Sequence, residues 1–434
     1  MWRGVLLVWF AGSCAAADDP MQVLAHLRER VAAENSRIAN YTCVQSVSRE
    51  YFNPSFVRPP ESCDDLLGHR KAGDYKLTLW SVDRLRLDVA VTTTREIYSW
   101  VGAREFDNRD LSEIVSGGPI GTGAFGAFLI SIFGNPAALF GYVGDTQIDG
   151  RAVMEFTYRV TKESSHYRVA AGSDWIVTGY DGTVYADPTT SDIVRLTIRT
   201  DELPPETGSC ETRTDLDYHR VRVGERELLL PRATHQRFIV RSGVETENTT
   251  VFTDCREYLG HSTIRFGDDA ADAPAQAAAK ARAAPQPIPA DLPVILDLTA
   301  PIDTWTASGG DMVSLRLAKP IVDAGKKVLV PAGVLVEARL IRVQRYLTKP
   351  TRATVVMKPE TIERNGGRAA FPVLPAKLQP IQVTRVSGFR THTLTLREAP
   401  MPNEVTFGVF QEAGDHVILP KGYHTDWLTA IEKK

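Results

Sequence analysis

Short runs in which apolar and polar residues alternate recur along most of this chain. Examples are Lys76–Trp80, Arg84–Val89, Glu96–Val101 and Arg151–Val160. Alternation with a period of two is typical of strands that bury one face. Because turn sequences separate the runs at regular intervals, the pattern favours antiparallel hairpins. We therefore expect a mainly β protein, with a curved antiparallel sheet that forms an unclosed barrel around helices in an α+β N-terminal domain.

Three turn sequences locate the predicted hairpins. Asp181-Gly182 separates Trp175–Tyr180 from Thr183–Ala186 and is a typical two-residue hairpin turn. Gly224–Arg226 and Ser242-Gly243 each separate two further strand candidates. Hairpins at this spacing predict that neighbouring strands in the sequence are also neighbours in the sheet.

Two segments break the strand pattern and predict helices. After Asp19, apolar residues recur at helical spacing as far as Ile38, and Pro20 suits the first turn of a helix. Ala124–Phe133 is apolar, and several of its side chains share one helical face. This helix either fills the core of the sheet or lines or covers an apolar cavity that accepts acyl chains. The candidates for that lining are Phe125, Phe128, Leu129 and Ile132.

Composition divides the chain into two β-rich parts. Residues 267–290 are rich in Ala, Pro and Gln and contain too little apolar surface to fold alone, so we expect a linker there. A first domain is expected at residues 18–266, with the α+β composition described above. A second, smaller β-barrel or sandwich is expected at residues 291–434.

The start of the chain resembles an export signal, predicted at residues 1–17. Arg3 precedes the apolar run Val5–Ala11, and Ala15–Ala17 is a small-residue cleavage site. The apolar run is shorter than the about 20 residues that span a bilayer. Cys14 permits a lipoprotein signal, but its preceding residues differ from the usual Leu-Ala-Gly context, which favours cleavage without lipidation. We expect an exported protein in the periplasm, at the outer membrane or at the cell surface.

Four cysteines remain after the predicted signal: Cys43, Cys63, Cys210 and Cys255. Exported proteins meet an oxidising environment, so disulfides are expected. Of the three possible pairings we favour Cys43–Cys63 with Cys210–Cys255, because these partners are nearest in sequence. The spacing of cysteines and histidines does not match a zinc site. We therefore expect no metal and no cofactor.

The familiar catalytic motifs GxSxG, HExxH, SxxK and the P-loop are absent from the sequence. Gly121–Gly126 matches the spelling GxGxxG, but a loop precedes it where a dinucleotide-binding unit requires a buried strand. We interpret this segment as a small-residue loop that leads into the apolar helix. The net charge of −3 does not fit the basic surface that nucleic-acid binding requires. No catalytic residue and no nucleic-acid partner are expected.

The first domain resembles the LolA/LolB lipoprotein carriers and the RseB-type envelope-stress sensors. The stretches that carry this resemblance, over about residues 20–266, are Ile38–Cys43, Gly121–Phe128, Tyr180–Pro188 and Asp217–Pro231. The resemblance implies a strongly curved antiparallel sheet around helices, no catalytic residues, and binding of acyl chains or lipoproteins in a concave cavity. Residues 331–339 are similar to a pattern in small envelope β-domains.

These observations favour a non-enzymatic, exported cell-envelope protein. Its first domain is expected to bind a lipid or a lipidated partner, and its second domain is expected to contact another envelope protein. Two alternatives remain open at this point. One is a scaffold or adhesion module with a filled core that binds proteins, and the other is a hydrolase whose catalytic residues meet only in space.

Overall fold

The computed structural model describes residues 19–36, 41–92, 96–103, 106, 111–115, 117–171, 174–200, 203–257, 287–376, 382–383, 396–397 and 406–431. The predicted signal peptide, with Cys14, lies outside the described residues, as does most of the predicted linker. The predicted domain boundaries stay a prediction.

The first part of the chain, up to Glu257, is mainly β. Its helices are α1 (Pro20–Ser36), α2 (Cys63–Ala72), α3 (Leu111–Ile114) and α4 (Ala127–Phe133). Its strands are β1 (Tyr41–Ser55), β2 (Lys76–Val91), β3 (Glu96–Trp100), β4 (Leu139–Ile148), β5 (Arg151–Val160), β6 (Arg168–Ala171), β7 (Asp174–Val177), β8 (Tyr180–Ala186), β9 (Ile193–Thr200), β10 (Ser209–Val223), β11 (Arg226–Val240) and β12 (Glu245–Glu257).

The second part of the chain contains only strands among its described residues. They are β13 (Pro293–Leu298), β14 (Ile302–Asp303), β15 (Met312–Leu317), β16 (Ile321–Val322), β17 (Val328–Val330), β18 (Leu335–Tyr346), β19 (Arg352–Arg364), β20 (Gly367–Ala370), β21 (Val373–Pro375), β22 (Gln382–Val383), β23 (Leu396–Arg397), β24 (Gly408–Ala413), β25 (Ile418–Leu419) and β26 (His424–Thr429).

Ten strands of the first part form one antiparallel sheet. Their order is β4–β5–β8–β9–β10–β11–β12–β1–β2–β3. Within the described residues β4 pairs only with β5 and β3 pairs only with β2, so the sheet stays open at both ends. The predicted fold class, mainly β with an unclosed curved antiparallel sheet, is confirmed.

Helices α1 and α4 pack on the concave face of this sheet, as the helical periodicity predicts. The Asp19 side chain accepts the Met21 amide at 3.0 Å, so it caps α1. Leu27 of α1 and Ile132 of α4 are both fully buried in one cluster with Phe156 of β5. Burying each such aliphatic side chain stabilises the fold by about 1.5–3 kcal/mol. The helices therefore supply the inner half of the first core.

The second part surrounds a separate core. Its main pairings run β21–β26–β13–β15–β18–β19, and β20 and β24 share the far edge of β19. Only Phe371 and Pro372 separate β20 from β21, so the strands encircle the core. Leu296, Leu340 and Trp427 are fully buried in that core. This part of the chain therefore has an apolar core of its own, and its expected form as a separate small β-barrel or sandwich stays a prediction.

Strand pairing joins the two parts, which the sequence did not predict. Residues 344–346 of β18 pair antiparallel with residues 81–83 of β2. Next to this pairing, the Gly309 amide donates to the Arg84 carbonyl at 2.8 Å, and the Arg86 amide donates to the Gly309 carbonyl at 2.7 Å. The Gly310 amide donates to the Leu340 carbonyl at 2.6 Å. Gly309-Gly310 therefore bridges β2 and β18 where their direct pairing ends.

Arg339 of β18 completes this junction. Its guanidinium donates to the carbonyls of Val101 at 2.8 Å and Gly310 at 3.0 Å. It also forms an ion pair with Glu360 at 3.0 Å. Because Arg339 is buried, these bonds to both parts are shielded from solvent. The two β-rich parts thus share one network of hydrogen bonds.

Two breaks predicted in the strands are wrong. The segments 76–80 and 84–89 belong to one strand, β2, because Ser81 and Asp83 between them are buried and paired with other side chains. The Asp181-Gly182 turn is also absent, because β8 passes straight through it. A Cβ at Gly182 would lie 1.9 Å from the Thr197 carbonyl oxygen. Glycine at this position therefore allows β8 and β9 to approach each other closely.

The favoured disulfide pairing is wrong, although all four cysteines do form disulfides. The bonds are Cys43–Cys255 and Cys63–Cys210. Cys43 and Cys255 lie on β1 and β12, which pair although they are the first and last strands of their sheet in sequence. Cys63 begins α2, which packs beside β10 at Cys210. Spatial neighbourhood across the sheet, rather than nearness in sequence, decides the pairing.

Peptide mapping of the unreduced protein checks this connectivity. We expect the peptide that contains Cys43 to be linked to the one that contains Cys255. Removing this bond with Cys43→Ala and Cys255→Ala is expected to lower the free energy of unfolding by about 2–5 kcal/mol, because the loop it closes is long. Urea unfolding of the mature protein measures the loss. A peptide in which Cys43 is linked to Cys63 would contradict the pairing.

Candidate functional site

The concave face is the candidate functional site, and α4 occupies its apolar part. Phe128, Leu129 and Ile132 are buried in the cluster that α4 forms with α1. Phe125 is buried in a second cluster, where its ring centroid lies 4.8 Å from that of Phe252 on β12. The four predicted lining residues are therefore brought together on one face of the sheet. Their role as ligand contacts stays a prediction.

A small apolar groove lies between α4, α1 and β11. Its volume is about 40 Å³, and it is lined mainly by Val31, Tyr41, Phe125, Leu129, Ile130 and residues 228–230. Of the predicted residues, Phe125 and Leu129 line it, whereas Phe128 and Ile132 do not. The interior beneath α4 is filled by side chains.

A glycine-rich segment leads into α4 across the concave face. We call residues Gly117–Gly126 the strap. The Glu96 carboxylate of β3 accepts the strap's Gly123 amide at 2.7 Å and its Phe125 amide at 3.0 Å. The Tyr218 hydroxyl of β10 donates to the Ala124 carbonyl at 3.0 Å. Strands on both sides of the concave face therefore hold the entry to α4.

Three buried tyrosines surround the Glu96 carboxylate. Burial raises the pKa of Tyr41, Tyr98 and Tyr218, and the nearby charge of Glu96 raises each pKa further. The Tyr98 hydroxyl donates to Glu96. These hydroxyls therefore stay protonated at neutral pH and act as hydrogen-bond donors. The Glu96 carboxylate accepts the amides of the strap.

A row of polar side chains crosses the same concave face beneath the strap. Five neighbouring strands, β10, β11, β12, β1 and β2, each contribute one residue in direct register. We call this set the polar row, and its members are Thr214, Gln236, Asn248, Arg49 and Asp83. All five are at most 6% exposed. Buried polar groups in such a line require hydrogen-bond partners.

The strap lies along the polar row. Arg49 donates to the Gly117 carbonyl at 2.7 Å, and Asn248 donates to the Pro119 carbonyl at 2.9 Å. A Cβ at Gly121 would lie 2.0 Å from the Gln236 amide nitrogen. Successive contacts therefore step from strand to strand along the row. Gly121, the first glycine of the GxGxxG spelling, allows this close approach, which fits the interpretation of a small-residue loop.

Arg49 and Asp83 form a buried ion pair within the polar row. The guanidinium donates to the two carboxylate oxygens at 2.7 and 2.6 Å. Burial by itself lowers the pKa of Arg49, but the attraction of Asp83 outweighs it, so the pKa lies above its ordinary value. The Arg49 guanidinium therefore stays charged at neutral pH, and it still has a donor for the strap.

The outer face of the sheet carries a second, polar groove of about 530 Å³. Four of its charged side chains form two ion pairs. Arg195 lies 2.6 Å from Asp217, and Arg213 lies 3.1 Å from Asp215. Ion pairs of this kind are typical of a solvated strand face.

His235 and Glu247 on this outer face predict a small pH dependence of stability. Their interaction across 3.7 Å raises the pKa of His235 and lowers that of Glu247. The contribution of His235 is complete below its unfolded pKa of about 6.5 and is lost as pH rises through the folded pKa. We expect His235→Gln to cost about 0.2–0.5 kcal/mol at pH 5.5, because the pair is half-exposed. Urea unfolding at pH 8.5 should reveal no difference between variant and wild type.

Four histidines lie beside carboxylates: His69, His235, His416 and His424. In the described part of the chain, none of their rings is hydrogen-bonded to a serine or cysteine, so the hydrolase alternative gains no support. The described residues contain no group of three or more metal-ligating side chains that could hold an ion. None of the described helices is long and apolar enough to cross a membrane.

Several site residues were missed by the sequence analysis. Glu96, Arg49 and Asn248 hold the strap. The sequence analysis placed Glu96 in a predicted strand and singled out none of the three as a site residue. The sequence signal that could have located such residues is an interruption of the apolar face of a strand by a polar residue. On β1, the buried face carries Gln45 and Arg49 between apolar residues, so its pattern was weak. A polar residue at a buried strand position indicates a specific partner.

No protein-family model and no curated protein matches the chain. Similar solved structures include a DUF1329 family protein from Desulfovibrio piger, 10% identical over 56% of this chain and 95% of its own, with a TM-score of 0.28. A putative outer membrane lipoprotein-sorting protein domain from Vibrio parahaemolyticus has 10% identity over 56% and 96% of the two chains, with the same TM-score of 0.28.

A LolA superfamily protein from Nitrosomonas europaea is also similar, with 8% identity over 54% of this chain and 93% of its own, and a TM-score of 0.25. The LolA-like resemblance found in the sequence thus recurs among solved structures. The strand pairing described above establishes the fold itself. At these TM-scores we base the functional proposal on this chain's own residues.

Proposed function

We propose that this protein is an exported, non-enzymatic envelope protein that binds the acyl chain of a lipid or a lipidated partner on its concave face. The observation that carries the proposal is the placement of α4. This helix has seven residues, lies between Gly126 and Gly134, and covers the apolar part of the sheet. Few backbone hydrogen bonds hold so short a helix, so its displacement costs little free energy. The displacement exposes an apolar surface suited to acyl chains.

The export part of this proposal is supported by the two disulfides. Both link segments that are more than 100 residues apart, with sequence separations of 212 and 147. Such bonds persist in oxidising compartments. The predicted signal and the periplasmic or outer-membrane location belong to the proposal, as does contact between the second β-rich part and another envelope protein.

Titration of the mature protein with a fluorescent 16-carbon fatty acid tests acyl binding. Ile132 belongs to the helix that must move, whereas Leu230 belongs to the strand surface that stays. We therefore expect Ile132→Ala to tighten binding about tenfold, because displacement of α4 costs less. Leu230→Ala should weaken binding about tenfold, because it removes a contact with the chain. Val57→Ala, at a fully exposed site, is the control.

A scaffold with a filled core is the second candidate, and the buried side chains beneath α4 favour it. This candidate predicts no saturable binding of the fatty acid by the wild type or by Ile132→Ala. Equal weakening by both core variants would also contradict acyl binding, because it would indicate a loss of folded protein rather than a change in the displacement of α4.

A further inference from the structure

The contacts between the polar row and the strap are made to main-chain atoms. Arg49 and Asn248 both donate to strap carbonyls, and neither bond involves a strap side chain. The glycines at positions 118 and 121 bring the strap backbone directly against the row. A surface that holds a chain in this way recognises an extended backbone rather than a particular sequence.

The polar row also has hydrogen-bonding capacity that the strap leaves unused. Asn248 is fully buried, its amide nitrogen donates to Pro119, and its amide oxygen has no partner. Pro119 has no N–H and cannot donate to this oxygen. The side-chain oxygen of Gln45, which is 4% exposed on the same face of β1, is likewise unpaired among the described residues. Buried acceptors of this kind favour a ligand that carries N–H donors.

We infer that the polar row is a binding site for an extended polypeptide segment, and that the strap occupies this site in the free protein. A residue other than proline at the position of Pro119 would offer both a carbonyl to the Asn248 amide nitrogen and an N–H to its oxygen. The incoming segment would therefore form more hydrogen bonds with the row than the strap does. The polar row contacts residues 117–121 of the strap, whereas the lipid site proposed above lies at Phe125 and α4, so the two sites lie at different parts of one segment.

Two adjacent glycines of the strap provide a matched pair of variants. Gly117 and Gly118 both have a φ of 71°. A Cβ at Gly118 would lie 2.2 Å from the Tyr51 hydroxyl and 2.8 Å from an Arg49 nitrogen, whereas a Cβ at Gly117 meets nothing within 4 Å. Gly118→Ala therefore lifts the strap from the row, while Gly117→Ala adds the same backbone strain without that contact.

The probe is a fluorescent synthetic peptide with the strap sequence in which the proline is replaced by alanine, measured by anisotropy with the mature protein. We expect Gly118→Ala to bind it at least about tenfold more tightly than the wild type and Gly117→Ala do. The added change Asn248→Ala should abolish this gain, and a peptide that keeps the proline should bind more weakly. Equal binding by Gly118→Ala and Gly117→Ala, or a gain that survives Asn248→Ala, would overturn the inference.

Two further measurements keep the result decisive. If Gly118→Ala does not fold, Gly121→Ala replaces it, because its Cβ would lie 2.0 Å from the Gln236 amide nitrogen of the row and its backbone is not in the left-handed region. The fluorescent fatty acid is titrated into the same variants. Fatty-acid binding without peptide binding overturns the peptide site and leaves the proposed function standing. Peptide binding without fatty-acid binding supports the peptide site and overturns the proposed function.

Discussion

Gly310→Ala is expected to uncouple the two β-rich parts and to lower the free energy of unfolding by about 3–5 kcal/mol. Gly310 has a φ of 104°, and a Cβ there would lie 2.1 Å from the Arg86 carbonyl oxygen. A main-chain atom in β2 cannot move aside as a flexible side chain can. The alanine therefore displaces the bridge from β2 and removes the contact of its carbonyl with Arg339.

Gly333→Ala is the matched control for this prediction. Gly333 has a φ of 87°, but a Cβ there meets nothing within 4 Å. We expect this change to cost only the backbone strain, about 1–2 kcal/mol. Urea unfolding followed by tryptophan fluorescence should reveal one transition for the control and two for Gly310→Ala. Equal losses in the two variants would mean that the contact with Arg86 does not hold the parts together.

Local patterns in the sequence predicted those features of the fold that depend on neighbouring residues. The period of two in Arg151–Val160 and the apolar stripe after Asp19 depend only on the local backbone, and β5 and α1 are found there. Disulfide pairing is not local. Cys43 and Cys255 meet because the chain returns to β1 after 212 residues, and no local pattern encodes that return.

The sequence analysis proposed residues only for the apolar part of the candidate site. Apolar spacing singled out Phe125 and Leu129, and both side chains are buried, although Phe125 precedes α4. Their role as ligand contacts stays a prediction. The polar row could not be found in this way, because each member belongs to a different strand and becomes meaningful only through register. Asp83 illustrates the point: its segment was read as a break between strands, whereas its carboxylate is buried against Arg49.

Asp83→Ala is expected to lower the free energy of unfolding by about 3–5 kcal/mol, because it leaves the buried Arg49 guanidinium without a counter-charge. The side chains of Arg49 and Asp83 are 1% and 2% exposed, so water cannot replace the lost carboxylate. The hydroxyl of Tyr51 also loses an acceptor, since it donates to Asp83 at 3.2 Å. Urea unfolding of the mature protein measures the change.

The double variant Arg49→Met with Asp83→Leu distinguishes charge burial from loss of packing. Replacing both charges with apolar side chains removes the unpaired guanidinium, so we expect most of the stability to return. Glu61→Ala breaks the exposed ion pair with Arg58 and should cause no measurable change. A double variant as unstable as Asp83→Ala would mean that the unpaired charge of Arg49 does not cause the loss. The double variant also lacks the hydrogen bond from Arg49 to Gly117. It should therefore bind the strap-derived peptide only if the contact with Asn248 is sufficient for recognition.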